Sequence, residues 1–139
     1  MRRPALGTLI GLAAILAACE DLPPAPGLPN AVPTATVYLT PVAPIYAGQT
    51  TVAFTAIGAR DVDGKVMSFV WNFGDGTPEV ATSDATVVHT FPDTPARCLN
   101  MTYGVLLAIV DDKGERGFAS QNVNVTELPA PTAAECTGR

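Results

Sequence analysis

Trp71-Asn72-Phe73-Gly74-Asp75-Gly76-Thr77 is the stretch that decides the fold of this 139-residue chain. It ends a run from Val66 to Phe73 in which one set of alternate residues is strongly apolar: Met67, Phe69, Trp71 and Phe73. A period of two is typical of a β-strand with one face in a core. The Gly-Asp-Gly sequence predicts a tight turn, because glycine tolerates positive φ and aspartate hydrogen-bonds the turn backbone. Trp71 is therefore expected to be a core anchor.

Similar short runs lie on both sides of this stretch. They are rich in Val, Thr and Phe, are separated by Gly, Pro and Asp, and predict strands at 36–39, 51–56, 86–91, 101–110 and 118–125. No segment carries a helical apolar stripe of ten or more residues. Strands at this spacing predict an all-β sandwich of about 90 residues.

Taken in order, these motifs resemble the polycystic kidney disease (PKD) domain family. The resemblance covers roughly 36–126 and rests on Trp71, Phe73, Gly74, Asp75, Gly76, His89 and Tyr103, with Asp111 and Gly114 following in order. It implies an immunoglobulin-like β-sandwich of about seven strands that serves as a binding or spacer module. The chain departs from the family pattern between Pro92 and Asn100, where the connection is longer and carries Cys98.

The motif residues are expected to be structural. His89 shares a strand face with Val87 and Phe91, which favours a packed or rim histidine over a catalytic one, and the sequence shows no partner for it. Neither a G-x-S-x-G motif, nor a plausibly spaced Cys-His pair, nor a phosphate-binding glycine loop is present. We therefore expect no catalytic residues, no cofactor and no enzymatic activity.

The N-terminus resembles a bacterial lipoprotein signal. Arg2 and Arg3 precede an apolar run at 5–16 that is too short to span a bilayer, and Leu16-Ala17-Ala18-Cys19 resembles a lipobox. The resemblance implies cleavage after residue 18 and acylation of Cys19, with palmitate or related chains in the lipid bilayer. Such chains anchor a protein stably. The alternative is an ordinary signal peptide in which Cys19 is incidental.

The remaining segments divide into a linker, a domain and a tail. Residues 19–34 hold five prolines between Pro23 and Pro33, which forbid a helix and predict an extended, disordered linker that spaces the domain from the membrane. The β-sandwich is expected at 35–127, and a C-terminal tail at 128–139. This organisation places the protein in the cell membrane or outer membrane, on the extracytoplasmic side.

Cys98 and Cys136 remain as a pair once Cys19 is acylated. The strands at 101–110 and 118–125 form a hairpin, so the start of the first lies beside the end of the second, and the proline-rich tail is long enough to reach back. We expect a disulfide between Cys98 and Cys136, as is common in exported proteins. Two free thiols or an intermolecular link are the alternatives.

Charge and ligand chemistry exclude further classes. Eight Lys and Arg against 13 Asp and Glu give a net charge of −5, which argues against nucleic-acid binding. One histidine and scattered cysteines do not make a zinc site. Asp61-Val62-Asp63-Gly64 resembles the start of a calcium loop but lacks the glutamate at the twelfth position. We therefore predict a solvated turn and no metal, and leave open a weak calcium site that uses Asp61 or Asp63.

The strand at 101–110 is apolar on both faces. If Tyr103, Val105, Leu107 and Ile109 form the core face, the opposite face exposes a candidate interaction patch formed by Val66, Val70, Leu106 and Val110. The alternative is scattered surface hydrophobes covered by the tail.

Two functions remain. The first is a lipid-anchored module for interaction with an envelope protein or for structural assembly. The second is a polysaccharide-binding accessory module, for which Tyr38, Tyr46 and Phe118 are the candidate exposed aromatic side chains.

Overall fold

The computed structural model describes residues 27–93 and 100–126, and this part of the chain contains strands and no helix. None of its elements is therefore a helix long and apolar enough to cross a membrane. The strands are β1 (Thr34–Thr40), β2 (Thr51–Arg60), β3 (Val66–Asn72), β4 (Val80–Thr82), β5 (Thr86–Thr90), β6 (Met101–Asp111) and β7 (Arg116–Val125).

The strands form two antiparallel sheets. One has the order β1-β2-β5 and the other the order β4-β3-β6-β7. The predicted all-β sandwich of about seven strands is confirmed. The short strand β4 is the element that the sequence did not resolve, because three residues are too few to show a period.

Bulges change two of the predicted strand patterns. β2 continues to Arg60 because Gly58, with φ of 66°, forms a bulge opposite β1 between Thr34 and Thr36. A register shift between Val66 and Ser68 places Met67 outside the alternation of β3. Met67, predicted on the core face, is 56% exposed, and Val66, predicted in the interaction patch, packs against the core instead.

The core lies between the sheets and is built around Phe54 of β2. Its ring centroid lies 5.4 Å from that of Phe73, 6.2 Å from that of Trp71 and 6.3 Å from that of Phe91, and all four side chains are 0–1% exposed. Tilted and edge-on arrangements at these distances are favourable for aromatic pairs. Aliphatic side chains complete the core, including Val52, Val105, Leu107, Ile109 and Val123.

Residues that the sequence assigns to the linker contact the domain. Pro33 is fully buried, and its carbonyl oxygen lies where a Cβ on Gly117 of β7 would be. The signal segment 1–18, Cys19, Cys98, Cys136 and the tail lie outside the described residues. Met101 pairs with Val125, so the start of β6 does lie beside the end of β7.

We expect Phe54→Ala to lower the free energy of unfolding by about 3–5 kcal/mol, because truncation of a buried aromatic residue leaves a cavity. Urea denaturation followed by Trp71 fluorescence measures this, and Phe54→Leu should lose less. A matched truncation of exposed Phe118 to Ala should change stability by no more than about 0.5 kcal/mol. Equal losses at the two positions would contradict the central role of Phe54.

Candidate functional site

The glycine turn after β3 is fixed by a buried aspartate–histidine pair. His89 Nε2 lies 2.6 Å from Asp75 Oδ2, and the Asp75 side chain is 0% exposed. Asp75 Oδ1 accepts hydrogen bonds from the Thr77 backbone N–H at 3.0 Å and from the Thr77 hydroxyl at 2.6 Å. Because an ionised carboxylate only accepts, His89 Nε2 is the donor.

Aromatic rings hold His89 in this orientation. Its ring stacks on Phe73 with centroids 3.8 Å apart and meets Phe91 edge-on at 5.0 Å; Phe91 in turn stacks on Tyr103 at 5.0 Å. Gly74 approaches β6 so closely that a Cβ would collide with the carbonyl oxygen of Gly104. The structure thus brings most of the motif residues together around one turn.

This pair has the chemistry of a structural joint. Burial raises the pKa of Asp75, but the hydrogen bonds from Thr77 and His89 outweigh it, so the pKa is lowered overall. The carboxylate is therefore ionised at neutral pH and occupied by three donors. Sequence reasoning missed the pairing because Asp75 lies in the turn after β3 and His89 on β5 of the other sheet, so that only the fold brings them together.

A second cluster lies at the other end of the sandwich, where the β2–β3 turn meets the β6–β7 hairpin. Asp111 is 3% exposed and accepts hydrogen bonds from the backbone N–H groups of Lys113 and Glu115 at 2.9 and 2.8 Å and from Asn30 Nδ2 at 2.6 Å. Burial raises the pKa of Asp111, but these hydrogen bonds together lower it by a larger amount, so the net shift of the pKa is downward. Asp111 ties the N-terminal segment to the hairpin.

Asp63 is the second joint in this cluster. Its Oδ2 accepts from Lys113 Nζ at 2.9 Å and its Oδ1 from the Ala31 N–H at 3.1 Å. The hydrogen bond from Lys113 is the main reason that the pKa of Asp63 is lowered. The predicted solvated turn is thus tied to two other segments of the chain.

Asp61 differs from Asp63 and Asp111 in its hydrogen bonding. Both of its carboxylate oxygens and Asn30 Oδ1 are buried without a hydrogen-bond partner. Burial and the charges of Asp63 and Asp111 raise the pKa of Asp61, and the nearby backbone N–H of Asp63 lowers it by less. A Cβ on Gly64 would collide with Asp61 Oδ2 and Asp112 Oδ1, so these two carboxylates converge on the glycine. Such an oxygen-rich site has the donors that a hard divalent cation prefers.

The cluster is not a complete set of ligands as it stands. Within 27–93 and 100–126, no three Asp, Glu, His or Cys side chains are arranged to hold a metal ion. The carboxylates of Asp63 and Asp111 are engaged by donors from this chain, which leaves Asp61 and Asn30 as the unsatisfied oxygen ligands.

Three of the four residues predicted to form an interaction patch lie on one outer face. Val70, Leu106 and Val110 lie on the outer face of the four-stranded sheet, and Leu106 is 44% exposed. A continuous apolar row crosses the four strands on this face through directly paired residues: Ala81, Val70, Ala108 and Phe118. Phe118 is 64% exposed and covers Ala108, which is 7% exposed although it lies outside the core cluster.

Tyr38 and Tyr46, the other two candidate aromatic side chains, lie elsewhere. Tyr38 is on the outer face of the three-stranded sheet and is 50% exposed. Tyr46 is half-buried, beside the end of β7, where it forms a parallel bridge with Thr126.

Comparison with known proteins gives one family and several relatives. The family model described as PKD domain matches residues 30–126. Collagenase ColQ1 of Bacillus cereus (strain Q1) is 30% identical over 76 residues, which are 55% of this chain and 7% of that collagenase. The chain therefore corresponds to a small part of its curated relative.

Two solved structures share the architecture. One comes from a study of the promiscuous specificity of carbohydrate-binding modules of the β-sandwich superfamily; it is 27% identical with a TM-score of 0.62, over 72% of this chain and 36% of that one. The PKD1 domain of Vibrio anguillarum Epp is 22% identical with a TM-score of 0.52, over 72% of this chain and 100% of that one. The latter likeness concerns the fold.

We expect Asp75→Asn to lower the free energy of unfolding by about 1–3 kcal/mol at neutral pH, because an amide cannot accept from all three buried donors. Urea denaturation measures the loss, and Asp84→Asn in the β4–β5 turn is the control. Since the pKa of Asp75 is lowered on folding, its contribution is present above the ordinary aspartate pKa and disappears as the pH falls through the folded value. A difference in the free energy of unfolding between the native chain and Asp75→Asn that persists at the lowest pH would contradict this assignment.

Proposed function

The chain belongs to the PKD domain family, and from that membership we propose that it is a non-catalytic binding module that contacts a protein partner. We further propose that it lies in the cell envelope, held at the membrane by acylated Cys19. PKD domains are generally non-catalytic accessory modules. The lipobox resemblance at 16–19 supports the anchor, and the proline content of 19–34 supports a spacer between membrane and domain.

The proposed contact surface is the apolar row Ala81–Val70–Ala108–Phe118 together with Leu106 and Val110. The observation that carries this assignment is Phe118, a phenylalanine on the edge strand β7 that is 64% exposed although it lies at the end of a regular apolar row. Large apolar side chains at such positions are typical anchors of interfaces, because they bury area without losing a hydrogen bond. No charged side chain lies in the row itself, and Arg116 is paired with Val110 at its margin.

This surface is tested by photo-crosslinking in cells of the source organism. A photoreactive residue in place of Leu106 in the full-length chain should give a discrete cross-linked protein product, and the additional change Phe118→Ser should abolish it. The same residue in place of Thr86, on the opposite face, is the control. No product, or one shared by both positions, would contradict the proposed surface.

Leu106→Glu separates a contact role from a core role. We expect the melting temperature of this variant to stay close to that of the native chain, because Leu106 is 44% exposed. A photoreactive residue in place of Phe118 should give a cross-linked product in the native background and none in Leu106→Glu. A fall of many degrees would show that Leu106 is needed for folding.

A polysaccharide is the second candidate partner. The solved structure described for carbohydrate-binding modules, at 27% identity and a TM-score of 0.62, favours it. The exposed aromatic side chains Tyr38 and Phe118 lie on the outer faces of different sheets. A polysaccharide bound to one face would therefore contact only one of them.

A calcium ion at the acidic cluster is a separate proposal, favoured by the buried, unpartnered oxygens of Asp61 and Asn30. Asp61 would be the principal carboxylate ligand and Asn30 Oδ1 a neutral one. Calcium accepts six to eight oxygen ligands, including carbonyls and water, so the two can belong to a larger set. Bound calcium would offset the repulsion between Asp61 and its acidic neighbours.

Melting of the full-length chain with calcium, with magnesium and with chelator tests the site. We expect calcium to raise the melting temperature. Asp61→Asn should raise it without calcium and remove the calcium effect, whereas Asp84→Asn should do neither. Because the pKa of Asp61 is raised on folding, its stabilising effect is present at low pH and is lost as the pH rises through the folded value. A calcium effect unchanged in Asp61→Asn would contradict the site.

A further inference from the structure

The outer face of the three-stranded sheet has an unusual composition. Threonine predominates on it, with Thr36 and Thr40 from β1, Thr51 and Thr55 from β2, and Thr86 and Thr90 from β5. None of the three strands contains Asp, Glu or Lys, although the chain carries a net charge of −5. We call this surface the threonine face.

Four of its six threonine hydroxyl groups are ordered in two pairs across the strands. The Oγ1 atoms of Thr55 and Thr86 lie 3.1 Å apart, and those of Thr51 and Thr90 lie at the same distance. Each hydroxyl has one donor and two acceptor sites, so a pair that shares one hydrogen bond keeps further sites for a ligand. Between the two pairs, Ala53 faces Val88, which is 64% exposed, so polar and apolar rows alternate.

The β2 bulge makes a shallow pocket at one end of this face. Because Gly58 is the extra residue, Thr34 pairs with Arg60 and Thr36 with Ile57. These residues, with Ala35, line an open pocket of about 400 Å³. Arg60 brings guanidinium donors, and Ile57, 50% exposed, brings an apolar wall.

Tyr38 lies beside the pocket. It is the next outward residue along β1 after Thr36, roughly 7 Å away at the usual strand rise, and it pairs with Thr55. Half of its side chain is exposed. An aromatic ring next to an array of hydroxyls and a guanidinium group combines an apolar platform with donors and acceptors in both directions.

We propose that the threonine face binds a neutral polysaccharide chain, with Tyr38 as the stacking platform and Arg60 as a hydrogen-bond donor in the pocket. This inference rests on the polysaccharide candidate above and assigns it a surface. A sugar ring presents hydroxyls around its edge and C–H groups on its face, which matches the alternation of hydroxyls with Ala53, Val88 and the Tyr38 ring.

The charge of the face favours this ligand over others. One arginine on three strands cannot neutralise a polyanion, and the absence of carboxylates offers nothing to a basic peptide. An apolar protein surface would bury the threonine hydroxyls without new partners, which is costly. An uncharged, hydroxyl-rich polymer needs no opposite charge on the face, and its own hydroxyls offer new hydrogen-bond partners to the threonines.

Co-sedimentation of the full-length chain with insoluble cellulose, chitin and the source organism's cell-wall polysaccharide tests the proposal. We expect saturable pelleting with at least one of them, competed by its soluble oligosaccharide. Tyr38→Ala and Arg60→Gln should each weaken binding about tenfold or more, whereas Phe118→Ser, on the opposite face, should leave it unchanged. Circular dichroism melting of each variant separates lost binding from lost folding.

The outcomes separate this inference from the function proposed above. Pelleting with none of the polysaccharides beyond an albumin control would overturn it. Pelleting that is lost in Phe118→Ser but kept in Tyr38→Ala and Arg60→Gln would retain a polysaccharide partner and reject the threonine face. The protein contact is judged separately, by the cross-link at Leu106.

Discussion

The packing of Phe54 between the two sheets is the contact on which the rest of the structure depends. β2 is the central strand of its sheet, so the position of Phe54 also sets β1 and β5. Across the interface the ring meets Trp71 and Phe73, which lead directly into the glycine turn and its Asp75–His89 pair. The ring of Phe54 therefore aligns the two sheets. Because the sheets pack face to face, their outer faces lie on opposite sides of the sandwich.

Three aspartates in this small domain have different roles because their surroundings differ. Asp75 is surrounded by donors and acts as a joint. Asp111 is equally well supplied and joins the hairpin to the N-terminal segment. Asp61 lies beside like charges, and its buried oxygens have no well-formed hydrogen bond, so it is the carboxylate that gains from a cation or a proton. Burial alone does not assign a role; the number of donors does.

The sequence was sufficient for six of the seven strands because a period of two and clear turn residues are local signals. It was insufficient wherever one inserted residue changes the register. The bulge at Met67 turns Val66 from the predicted outer face to the core. The bulge at Gly58 forms a pocket for which the sequence contains no recognisable motif.

Contacts between distant segments were also beyond the sequence. Asp75 with His89, and Asn30 with Asp111, are separated by 14 and 81 positions. The motif indicated that Asp75 and His89 matter without indicating that they touch. The lipid anchor and the Cys98–Cys136 bridge belong to segments outside the described residues and stay predictions.

The attachment of residues 30–33 has a mechanical consequence. A pull on the chain from its N-terminal side reaches the side-chain bonds of Asn30 to Asp111 and of Ala31 to Asp63 before it reaches the backbone ladder of β1 and β2. These two hydrogen bonds are therefore the first to break under load. Their breakage lengthens the connection to the domain while the core stays folded. The acidic end of the domain therefore sets the tension at which the connection to the module first lengthens.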